Sequence, residues 1–87
     1  MARVTIRYWA AAKDAAGVAA ESFEAGTLAA ALAAALDRRG GRGEQLRNVL
    51  ARSSFLIDGA PAGVRPPEEI TLPDTAVIEV LPPFAGG

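Results

Sequence analysis

Cysteine and histidine are both missing from this 87-residue sequence. Without cysteine no disulfide can form, so the chain depends on packing alone, as cytosolic domains usually do. The two absences together remove a thiolate nucleophile, an imidazole base and an ordinary zinc or copper site. What remains for chemistry is a scatter of carboxylates, a few hydroxyls and the chain ends, so a self-sufficient enzyme is not expected. Lysine occurs once, at Lys13, and nine basic residues stand against ten acidic ones for a net charge of −1. That balance argues against binding by phosphate neutralisation, and no nucleic-acid partner is expected. The basic cluster Arg38, Arg39 and Arg42 reads as a solvated helix end.

Long apolar runs are lacking too. The most apolar stretch, "TLAAALAAAL", is too short to span a bilayer. The opening "MARVTIRYWAAAKDAAG" carries charges at positions 3, 7 and 13 that interrupt any signal-peptide core. A cytoplasmic protein with no membrane association is the expectation. Half of the residues are hydrophobic, enough for one folded domain. Much of that is alanine, so each Leu, Ile, Val and Phe counts in a small core.

The residues that are present mark out an order of elements. "RVTIRYW" alternates, with Val4, Ile6 and Tyr8 facing one way and Arg3, Thr5 and Arg7 the other, which predicts a strand covered on one face. "AAAKDAAG" allows one or two helical turns before Gly17. "VAAESFE" is a weaker strand with Phe23 as its best core residue. Thr27 is placed to cap a helix whose leucines recur at 28, 32 and 36, backed by Ala29 and Ala35, and which stops at Gly40. Leu46, Val49 and Leu50 suggest a second, shorter helix. "SFLIDGAPAG" reads as a hairpin turning at Asp58-Gly59, with a return strand over 60–63 kept short by Pro61. "VRPPEEITLPD" is a proline-broken connection, and "TAVIEVL" is the last strand, stopped by Pro82. The sum is an α+β domain with one helical layer over one mixed sheet.

The sequence then closes on "LPPFAGG". Pro82 and Pro83 hold the backbone extended, Phe84 offers an apolar anchor, and Ala85, Gly86 and Gly87 have almost no side-chain bulk. Six residues from Pro82 reach roughly 20 Å when extended. This shape suits delivery of the Gly87 carboxylate into a narrow channel of another protein. The bland alternative is a tail that frays, as chain ends commonly do.

The opening strand with its "AAAKDAAG" helix, the "TLAAALAAAL" helix, the "FLIDG" strand and "VIEVLPPFAGG" together resemble the MoaD/ThiS family of ubiquitin-like sulfur carriers, and the Pro-Pro-aromatic segment is similar to MoaD more than to ThiS. The resemblance implies a β-grasp domain over 1–81, its mixed sheet covered on one face by helices, and an extended tail over 82–87. It implies that a ubiquitin-activation-like adenylyltransferase/sulfurtransferase uses ATP to adenylate Gly87 and converts it to a thiocarboxylate. It also implies a MoaE-type large subunit of molybdopterin synthase that holds the active site. Pro82, Pro83, Phe84, Ala85 and Gly86 would be the partner-binding residues, with no metal and no permanently bound cofactor. "LPDTAV" departs from the Asp-Gly-Asp-like turn common in that family. Other clients stay open: thiazole, a cysteine precursor or a thiolated tRNA base. So do a ubiquitin-like protein modifier and a plain binding module. Arg7, Trp9 and Phe55 are candidates for a docking face on the sheet, with a core or rim role as the alternative for Trp9 and Phe55.

Overall fold

The computed structural model describes residues 2–83. Five strands form one mixed sheet in the order β2-β1-β5-β3-β4. β1 (Ala2–Tyr8) runs antiparallel to β2 (Ala20–Ala25) and parallel to β5 (Val77–Leu81). β5 is antiparallel to β3 (Ser54–Ile57), which pairs with the two-residue β4 (Ala60–Pro61). The helices are α1 (Ala10–Ala16), α2 (Leu28–Arg39) and α3 (Glu44–Arg52). The element order matches the expected one. A 3-10 turn at Gly40–Arg42, absent from the sequence reading, joins α2 to α3, and another at Pro67–Glu69 lies in the proline-broken connection.

Alternation in β1 and β5 builds the core. Val4, Ile6, Tyr8, Ile78 and Val80 are buried under the helices, whereas Arg3 and Arg7 stay on the open face. α2 begins as expected: the Thr27 hydroxyl accepts from the Ala30 amide at 3.1 Å. Its buried face differs from the leucine stripe. Leu28, Ala31 and Ala35 are buried, while Leu32 and Leu36 lie half-buried on the flank. A four-residue spacing overshoots a full turn by roughly 40° each time, so a Leu28-Leu32-Leu36 row winds off the face that meets the sheet. Alanines on that face let the helix approach closely.

The hairpin turns at Asp58 (φ 51°) and Gly59 (φ 85°), both in the left-handed region that a type I′ turn requires. Asp58 also ties the turn to β5, accepting from the Val77 amide at 2.9 Å. The return strand stops at Pro61, two residues short of the expected bound, and Gly63 at φ 77° leads the chain away. The connection to β5 is anchored rather than loose: Leu28 donates to the Ile70 carbonyl and Leu72 to that of Gly26, each at 2.9 Å.

Candidate functional site

Everything the sequence nominates for chemistry follows β5, which lies in the middle of the sheet. β1 holds it on one side as far as Tyr8 beside Val80, and β3 on the other as far as Ser54 beside Leu81. The ladder ends at the next residue because Pro82 has no N–H to donate. Pro82 is half-buried at the sheet margin and Pro83 is exposed. The expected site residues Phe84, Ala85, Gly86 and Gly87 lie outside the described residues.

The rim around this exit is organised by β1. Trp9 follows the strand and is 42% exposed. Its indole Nε1 donates to Glu79 at 3.2 Å, and the Arg7 guanidinium lies 5.1 Å from the ring centroid. Arg7 and Glu79 are register neighbours on adjacent strands, so the opposite charges flank the same indole. A shallow hollow of about 310 Å³ beside it is lined by Arg7, Tyr8, Trp9, Lys13, Ala19 and Ala20. On the open face Val77, Leu81 and Leu56 alternate out of the sheet and remain half-buried. Arg7 and Trp9 therefore sit on the side nominated for docking. Phe55 does not: it pairs with inward-facing Val80 and packs against the core, because its register places it on the helix side.

Beneath the rim is a polar cluster that sequence reasoning missed. The Tyr8 hydroxyl donates to Glu21 at 2.6 Å, and Arg39 and Arg38 contact the same carboxylate at 2.7 and 3.2 Å. The Glu21 side chain is 8% exposed and that of Arg39 11%. Arg39 also donates to the carbonyls of Ala16 and Ala35, joining α1, α2 and β2. The solvated helix end expected for this cluster is thus corrected at Arg39, which is drawn inward. Arg38 keeps half of its side chain in solvent while touching Glu21, and Arg42 is exposed. The pull toward the sheet is a buried carboxylate needing partners. Burial pushes the Glu21 carboxyl up, but hydrogen bonds from Arg39 and Tyr8 and the arginine charges outweigh it, and the net direction is down. Burial, then the bond to Glu21, raises the Tyr8 phenol well above its ordinary range. One available signal was register: Glu21 lies opposite core-facing Ile6. The cluster's donors are spent on Glu21 and on the carbonyls of Ala16, Ser22 and Ala35, which ties β1, β2, α1 and α2 together.

The architecture is the ubiquitin-like β-grasp. Among solved structures it superposes on small archaeal modifier protein 1 of Methanosarcina acetivorans with a TM-score of 0.81, at 23% identity over 100% of this chain and 98% of that one. It is similar to a chain in the complex of subunits 1 and 2 of the molybdopterin-converting factor of Helicobacter pylori, at TM-score 0.66 and 24% identity over 98% and 99% of the two chains. A third likeness is to small archaeal modifier protein 1 of Haloferax volcanii, at TM-score 0.71 and 19% identity over 97% and 100%. At these identities the likeness is one of fold. No family model matches the sequence, and no curated protein does.

Proposed function

We propose that this chain is a ubiquitin-like sulfur carrier that works through the carboxylate of Gly87. The observation that carries the reading is the position of β5, a central strand gripped on both sides that runs into Pro82-Pro83-Phe84-Ala85-Gly86-Gly87. A rigid platform then aims a slender acyl group. A carboxylate is a poor electrophile, so an activating enzyme of the ubiquitin-activation type joins it to AMP from ATP, releasing pyrophosphate. The terminal sulfur of a persulfide attacks the acyl carbon and expels AMP, and a thiol then cleaves the S–S bond to leave a thiocarboxylate on Gly87. Gly86 and Ala85 admit the tail to a narrow channel, and Phe84, Pro82 and Pro83 anchor and aim it.

For the client we favour the small-subunit role in molybdopterin synthase, with a MoaE-type large subunit as partner. The Helicobacter pylori neighbour, a complex of two converting-factor subunits, supports that choice. The test is to mix thiocarboxylated chain with a MoaE-type subunit and cyclic pyranopterin monophosphate. Dithiolene formation that consumes the Gly87 sulfur is expected; no complex and no product would remove this client. The TM-score of 0.81 to an archaeal modifier protein favours a second reading, in which the activated Gly87 is passed to lysines. High-mass conjugates in cells that vanish when Gly87 is deleted would support it.

A further inference from the structure

β2 forms one outer edge of the sheet, with β1 as its one strand neighbour among the described residues. The Tyr8 amide donates to the Ala19 carbonyl at 2.9 Å, and this sets the alternation along the pair. Residues 21, 23 and 25 exchange bonds with β1, whereas Ala20, Ser22 and Glu24 turn their amides and carbonyls outward. Such a row of strand groups is a template for another strand. Arg38 lies across its middle. The guanidinium stacks 4.2 Å from the Phe23 ring centroid, sits 3.2 Å from Glu21 and reaches the outward carbonyl of Ser22 at 3.5 Å. Its side chain is 52% exposed, so it lies over the edge from the solvent side, covering Phe23 beneath it.

We propose that Arg38 guards the β2 edge, and that the occupant it holds off is a second copy of this chain paired antiparallel about Ser22. Charge complementarity singles out a copy. With a two-fold axis at Ser22, Ala20 of each chain meets Glu24 of the other. On the open face Arg3 borders Glu24 and Arg7 borders Ala20. Each glutamate then lies between Arg3 of its own β1 and, across one alanine methyl, Arg7 of the second copy. The long side chains of Glu24 and the second copy's Arg7 can approach each other over that methyl, and the two-fold makes this approach twice, which favours this register. The guard sits at the centre of the same pairing. β1 separates this edge from β5, so the pairing is independent of the sulfur-carrier reading.

Sedimentation velocity tests the guard. The wild-type chain is expected to be monomeric, while Arg38→Ala and Arg38→Met tighten self-association by about tenfold or more, the equivalent of one hydrogen bond to a charged group. Arg38→Met keeps an apolar cover over Phe23 and removes the donors, so one variant stays informative if the other folds poorly. Since the sequence contains no cysteine, Ser22→Cys in the Arg38→Ala background should cross-link to itself on mild oxidation. Glu24→Cys, four residues from its own copy in the pairing, should not. Folded Arg38 variants that remain monomeric would overturn the proposal, as would a wild-type chain that dimerises equally well. Cross-linking at position 24 as readily as at 22 would overturn the register.

Discussion

Thr75 is a β-branched residue at φ 65°, in a region where L side chains crowd their own backbone. The turn keeps this shape because the Thr75 amide donates to the Arg3 carbonyl at 2.8 Å while Asp74 accepts from the Arg3 amide at 2.9 Å. Left-handed backbone costs a non-glycine residue about 1–2 kcal/mol, and glycine returns part of that through chain entropy. Thr75→Gly is therefore expected to raise stability by about 0.5–1 kcal/mol, read as a higher urea midpoint with an unchanged slope. Glu21 has the opposite character, a side chain whose partners have no replacement. Glu21→Ala leaves the Arg39 guanidinium facing a low-dielectric gap and should cost about 3 kcal/mol. The pH dependence follows from the lowered Glu21 pKa. Its stabilisation is complete above the unfolded carboxylate value of about 4.3 and is lost as pH falls through the lower folded value. Acid titration of Glu21→Gln should show a flatter fall in stability over that range.

α2 shows which part of an element a sequence exposes and which part it hides. Its cap, length and stop were legible in Thr27, the alanine-leucine run and Gly40, because each acts locally. Its buried face was not, since leucines draw attention while the close contact is made by Ala31 and Ala35. Ala31→Leu should therefore overpack the interface with the sheet and cost about 2 kcal/mol. The same substitution at exposed Ala33 should be nearly neutral, and thermal melts of the two variants make the comparison. The Asp58-Gly59 hairpin was legible for the same local reason as the cap. The inward turn of Phe55 was not, because strand register is settled by the neighbour across the ladder and not by the residue itself. Glu21 was missed likewise: its partners Tyr8, Arg38 and Arg39 are remote in sequence and meet only once β1, β2 and α2 assemble.

At the scale of the molecule, the proposed function assigns separate tasks to the sheet domain and to the segment that follows it. The α+β order was readable from end to end because each segment carries its own periodicity. The β-grasp arrangement, with β1 and β5 parallel at the centre, came from resemblance and is what the sheet order displays. Of the nominated site the structure places Pro82 and Pro83 at the margin, between the Trp9 rim and Ser54. Gly86→Val adds a branched side chain where the proposed channel requires none. It should leave the melting curve unchanged while reducing activation or transfer at Gly87; normal thiocarboxylation and normal transfer by this variant would contradict a narrow channel.

The most direct measurement is the intact mass of the chain isolated from its own sulfur-replete cells, with fragmentation of the C-terminal peptide, repeated after incubation with ATP, a persulfide donor and the activating enzyme of those cells. A sulfur carrier gains the mass of an oxygen-to-sulfur exchange, localised to Gly87. A carboxylate that stays unmodified in both samples, while the same enzyme charges another carrier, would contradict the account.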